Sequence, residues 1–264
     1  MRYIRFFLLH LQQVFETRSR VFVWFVISLF NPIILILFWQ GAKLNNASGS
    51  QFGISSITTY YLLQLIVSSL LIAHIEEEVA VYDIQEGNLA SYILKPFSYF
   101  LRKFYSEFSY RIFQGAIGLI VISILFLFYG SFFIISHSLV VLLLSMIIAL
   151  FAYFISFTYK MTLGIISFWL IDIQGLFQLS EMMLFMFAGF IVPLYFFPKW
   201  LEIFTYFLPF PYIVYFPIIA FLGKLSVMEL LRVIGIQIIW IAILGGIYSV
   251  LWKNGIKKFS GVGQ

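Results

Sequence analysis

Charge is so sparse and so unevenly spaced in this chain that most of it can fold only away from water. From Arg111 to Lys160 there are 48 consecutive residues without Asp, Glu, Lys or Arg. Further charge-free intervals run 22 residues from Arg20 to Lys43, 32 from Lys43 to Glu76, 21 from Glu202 to Lys224 and 20 from Arg232 to Lys253. A helix crosses roughly 30 Å of hydrocarbon with about 20 mostly apolar residues. Several intervals meet that length, and the longest holds two crossings. Charged residues make up 10% of the chain, against about 25% in soluble domains, too few to cover a water-facing surface. Lipid offers the backbone no hydrogen bonds, so the expected fold is an all-α polytopic membrane protein.

Six transmembrane helices are expected, at about 21–40, 57–75, 111–129, 138–158, 172–192 and 233–252. Gly130-Ser131 and Ser136-His137-Ser138 break the longest interval. An even number puts both termini on one side. Placing them in the cytoplasm puts Arg2, Arg5, Arg18, Arg20, Lys95, Arg102, Lys103, Arg111, Lys160, Lys253, Lys257 and Lys258 inside, and leaves Lys43, Lys199, Lys224 and Arg232 outside. Basic residues near span ends set orientation, and the same bias accounts for the net charge of +5 without nucleic acid. The expected location is a cell membrane, plasma or inner. The early arginines and the lack of a small-residue cleavage site argue against a cleaved signal peptide. With no cysteine, disulfides and thiolate metal sites are excluded.

Residues 193–223 are apolar yet hold five of the seven prolines, Pro193, Pro198, Pro209, Pro211 and Pro217. Each removes a backbone donor and disfavours helix before it, so a straight seventh crossing would leave unpaired groups in lipid. An extracytoplasmic re-entrant helical hairpin is expected instead, before the last span. Residues 1–20 form a separate unit ahead of a single transmembrane domain, 21–264. Ile4, Phe7, Leu8, Leu11, Val14 and Phe15 recur at helical spacing, which predicts an N-terminal interfacial amphipathic helix. The plainer alternative is that its arginines only orient the first span.

Ten of the 27 charged residues lie from Glu76 to Arg111. This cytoplasmic segment, 76–110, is too short for a catalytic domain. Its apolar positions Val79, Ile84, Leu89, Ile93 and Leu94 suit short helices broken at Gly87 and before Pro96. Such a piece either docks into a groove on a soluble partner or merely links two spans. Within the spans, Gln174, Gln178 and Glu181 follow at i, i+4 and i+7 and share a helix face. That stripe lines a translocation path or a dimer interface, or else it is hydrated at the surface together with Asp172. Adjacent acids Glu76-Glu77-Glu78 fan out around a helix and do not converge on a cation. No catalytic constellation and no cofactor or metal ligand set is visible.

Ile84, Gly87, Leu89 and Ile93-Leu94-Lys95-Pro96, followed by Phe168-Trp169, Gly189, Pro193, Phe197-Pro198 and Leu208-Pro209-Phe210, resemble in order and spacing the type-2 permeases of ATP-binding-cassette (ABC) exporters. The similarity is closest to the branch with an LLKP-like cytoplasmic segment, here with Ile93 as the first of the pair, and it runs nearly the whole chain. The resemblance implies a permease subunit that moves an amphiphilic or hydrophobic substrate out of the cytoplasm or inner leaflet. It implies two separate cytosolic ABC ATPase subunits that bind ATP and Mg²⁺, and a second permease, identical or paralogous. The chain itself would be no enzyme, and it has no G-x-x-x-x-G-K-[ST] phosphate loop. The coupling segment is then Tyr82, Asp83, Ile84, Gln85, Glu86, Gly87, Asn88 and Leu89. Aromatic residues of the proline-rich stretch, with Pro193, Phe197, Pro198, Pro209 and Phe210, would form an outer gate. The rival is an ATPase-independent secondary carrier or channel, which predicts internal repeats or helices broken at the midplane; no repeat is found.

Overall fold

The computed structural model describes residues 2–16, 18–41, 54–129 and 138–259. Helices α1 (Arg2–Glu16), α2 (Arg18–Gly41) and α3 (Ile54–Leu71) are followed by a π-helical stretch, Glu78–Gln85, and a short α4 (Leu89–Ile93). Then come α5 (Tyr99–Tyr129), α6 (Leu139–Ile165), α7 (Gln174–Phe187), α8 (Lys199–Tyr206), α9 (Tyr215–Phe221) and α10 (Val227–Gly255). No strand occurs among the described residues. The expected break at Gly130-Ser131 and Ser136-His137, and Lys43, lie outside them.

Among the described residues, three helical stretches are long and apolar enough to cross a membrane: Tyr99–Ile124, Leu139–Phe168 and Val227–Gly255. A fourth is possible if α8 and the bent piece Phe210–Phe221, which meet at 75°, count as one span. The stretches Phe25–Gly41 and Ser55–Leu71 are apolar but shorter. Helix α7 has 14 residues, about 21 Å at 1.5 Å per residue, and so falls short of the continuous 172–192 helix read from hydropathy. The chain turns out of it at Gly189, with φ +84°. Conversely, α5 starts at Tyr99, well before residue 111, because Ser98 begins an unbroken run of helix formers after Pro96.

Helices α6 and α10 pack along each other and carry the core. Gln237 of α10, fully buried, donates from Nε2 to the carbonyls of Ile148 and Tyr212, both at 3.0 Å. One side chain thereby ties α10, α6 and the proline-rich piece together, and it meets the Tyr212 carbonyl where the backbone is irregular. Residues 209–220 are buried throughout. Prolines at turns and first helical turns sacrifice no ladder bond there, and the freed groups are enclosed by protein rather than lipid.

A second tie fixes the far side. Tyr60 donates to the Gly189 carbonyl at 2.7 Å and Tyr61 to the Ile191 carbonyl at 2.8 Å, while Trp39 Nε1 donates to the Tyr61 hydroxyl at 2.7 Å. Trp39 stacks on Phe196. A Cβ on Gly189 would lie 2.6 Å from the Tyr60 hydroxyl, on a backbone that L side chains avoid. Gly189→Ala is therefore expected to cost about 1–3 kcal/mol, read as a lower thermal midpoint of the purified protein; an unchanged midpoint would contradict this packing.

Candidate functional site

Helix α3 ends at Leu71 and residues 72–75 form an irregular link. Its exposed backbone donors are met by side chains: Ala73 N–H by Ser156 Oγ of α6 and His74 N–H by Glu107 Oε1 of α5, both at 2.9 Å. From this anchored link the acidic residues diverge. Glu76 Oε1 lies 2.5 Å from Lys160 Nζ of α6, and Glu181 of α7 takes the same ammonium. Glu78 and Asp83 share Lys103 of α5, Asp83 at 2.5 Å. Tyr99 donates to Asp83 at 2.5 Å as well. Arg111 holds Glu107 and Gln114, each at 2.7 Å. Two buried lysines thus clamp the 76–85 stretch to α5, α6 and α7.

Apolar contacts seat the same stretch. Val79, Ala80, Asp83 and Ile84 face inward, and Val79 meets α6 at Gly164, where a side chain would have no room: a Cβ would lie 2.8 Å from Val79 Cβ and 2.9 Å from the Glu76 carbonyl. Burial pushes the Glu76 and Asp83 carboxyls above the usual carboxylate range, against the pull of Lys160 and Lys103 respectively. In buried ion pairs the cost of desolvation commonly offsets much of the attraction. The clamps fix geometry more than they add stability.

The outward face of the stretch is different. Tyr82, Gln85, Glu86 and Asn88 are exposed, Gly87 turns the chain at φ +82°, and Leu89 is fully buried as the anchor of α4. Asn88 Nδ2 closes the turn on the Tyr82 carbonyl at 2.7 Å. Gln85 Nε2 donates to the carbonyl of Ile171 at 2.7 Å, joining this surface to the turn between α6 and α7. There Ile171 is 93% exposed, and beyond α4 Leu94 is 86% exposed. Arg102 lies over the Tyr92 ring at 4.3 Å, so the basic end of the segment is held close to the surface.

The stripe expected from Gln174, Gln178 and Glu181 divides. Gln174 and Gln178 are exposed, whereas Glu181 turns in to Lys160. Asp172 does not reach Lys160; its Oδ1 accepts from the Gln174 amide at 3.3 Å. Among the proline-rich residues, Pro193 is buried, Phe197 half-buried and Pro198 exposed. Pro209 and Phe210 are buried, and Phe210 meets Tyr159 edge-on at 5.6 Å, next in sequence to Lys160. Tyr159 and Ser180 share a hydrogen bond at 2.9 Å. The proline-rich turn therefore reaches the ionic cluster. The pairing of Lys160 with both Glu76 and Glu181 is absent from the sequence-based expectations. Its signal is present in the chain: a lone lysine at the end of 48 uncharged residues needs buried partners, and only a folded chain says which.

A family model described as ABC-2 family transporter protein matches residues 18–263. No curated protein matches the chain.

Proposed function

Because that match spans nearly its whole length, the chain belongs to the ABC-2 transporter family, and we propose that it is the permease subunit of an ATP-driven exporter. Membership makes it a membrane component of an ABC transporter that works with an ABC ATPase and is not itself catalytic. In our reading six crossings surround the path, α1 lies in the inner interface, both termini are cytoplasmic, and 193–223 re-enters from outside. Two ATPase subunits and a second permease, identical or paralogous, complete the machine in the plasma or inner membrane. The cargo is an amphiphilic or hydrophobic molecule taken from the cytoplasm or inner leaflet.

The observation that carries this reading is the 76–98 segment. Its inner face is locked to three helices by Lys103 and Lys160, while its outer face exposes Tyr82, Leu94 and the neighbouring Ile171. A rigid connection on one side and an apolar surface on the other suit a part that takes a push from a soluble partner. A motor-independent carrier has no use for such a surface. The test is co-expression with candidate ABC ATPases and purification in detergent. An ATPase should copurify and its hydrolysis should rise with substrate. Leu94→Glu with Ile171→Glu should cut copurification at least tenfold and leave the permease folded; transport that proceeds without any ATPase would overturn the proposal.

A further inference from the structure

Helix α10 is 29 residues long, about 43 Å. Its C-terminal end lies at the clamped segment, with Trp252 stacked on Tyr99 at 4.9 Å. A cleft of about 580 Å³ lies by its N-terminal turns, remote from that segment. Its lining includes Tyr195, Tyr206, Tyr212 and Tyr215 with Glu202; Tyr195 is exposed and Tyr206 half-buried, whereas Tyr212 and Tyr215 are buried. Glu202 accepts from Tyr206 at 2.6 Å and from exposed Lys199 at 3.0 Å; a carboxylate has about four acceptor positions, so capacity remains. Lys224, just before α10, and Arg232, in its second turn, also line the cleft. Glu229 is occupied by its capping box with Ser226, at 2.7 Å to the hydroxyl. Arg232 is exposed and makes no hydrogen bond or ion pair with a described residue, although Glu229 stands one turn before it. Ile219, Leu225, Val233 and Ile236 add apolar lining.

We propose that this cleft binds an amphiphile with a zwitterionic, phospholipid-like head: its phosphate on Arg232 and its ammonium at Glu202 beside Tyr195 and Tyr206. A guanidinium fork matches phosphate oxygens, and an alkylammonium is held by tyrosine faces and a carboxylate. The lining carries two acids and two bases, so a net-neutral head leaves the cleft neutral, whereas a purely anionic head adds a charge. The tail lies along the apolar lining residues. The inference deepens the amphiphile-export reading by naming a cargo class, but the binding it asserts needs no ATPase. The test uses the full chain alone in a nonionic detergent, titrated with dihexanoyl-phosphatidylcholine, dihexanoyl-phosphatidylglycerol and inorganic phosphate, with bound ligand counted by native mass spectrometry. The choline lipid should bind at least tenfold more tightly than the glycerol lipid and a hundredfold more tightly than phosphate. Arg232→Gln and Glu202→Gln should each weaken it at least tenfold at an unchanged thermal midpoint. Choline-lipid affinity that is unmoved by Arg232→Gln would overturn the site. Equal binding of phosphatidylglycerol would overturn the zwitterionic assignment, and equal binding of phosphate would overturn the need for a tail. Absence of ATPase stimulation would count against the exporter reading and leave this result untouched.

Discussion

Lys160→Met is expected to be the most damaging single substitution in the chain. The Lys160 side chain is 1% exposed and meets Glu76 and Glu181; without it, buried Glu76 loses its cation and faces the half-buried carboxylate of Glu181. Removing one member of a buried ionic group costs about 3–5 kcal/mol, while replacing all members by neutral groups of similar size is often neutral or stabilising. The triple variant Lys160→Met, Glu76→Gln, Glu181→Gln should therefore regain most of the lost thermal midpoint. It should not regain ATP-dependent transport, because the segment would no longer be fixed to α6 and α7. A wild-type midpoint in the single variant, or full transport in the triple, would show that the clamp has no part in the mechanism.

Gly164→Val is the second large effect. At this position a Cβ alone meets Val79 and the Glu76 carbonyl inside 3 Å, and the carbonyl is backbone that cannot swing aside. Overpacking of this kind costs about 1–3 kcal/mol. The energy matters less than the direction of relief. Helix α6 is locked against α10, so the 76–85 stretch is the part that gives way, and the outward surface at Tyr82 and Gln85 moves with it. The expected result is normal helix content by circular dichroism and loss of ATPase copurification. Gly175→Ala, with nothing within 4 Å of its Cβ, is the matched control and should behave as the parent. If both variants retain the ATPase, the close approach at Gly164 has no part in coupling.

These effects are only partly legible in the chain itself. The charge-free intervals mark α5, α6 and α10 because lipid admits little else, and the same sparsity singles out 76–110 as the segment that meets water. Boundaries are less accessible. Hydropathy cannot separate a helix from an apolar turn, so 172–192 reads as one crossing although α7 stops at Phe187 and Gly189 turns the chain. Pairing is least accessible. Glu76, Lys160 and Glu181 are separated by 84 and 21 residues, and no local period links them. The acid run Glu76-Glu77-Glu78 does announce divergence: Glu76 goes to α6, Glu78 to α5, and Glu77 to solvent. The depth of Phe210 is hidden for a similar reason. Prolines announce a broken helix but not how far the broken piece reaches.

If a separate ATPase grips the outer face of the clamped segment, cross-linking will find it there. The chain has no cysteine, so single cysteines can be placed at Leu94, at Ile171 and, as the remote site, at exposed Phe207 beside the α10 start. Each is carried into the purified complex and treated with a short bifunctional thiol–amine reagent. A covalent permease–ATPase adduct should form from positions 94 and 171, change in yield when ATP is added, and be absent from position 207. No adduct from 94 and 171, or an equal one from 207, would show that the motor does not act through this surface.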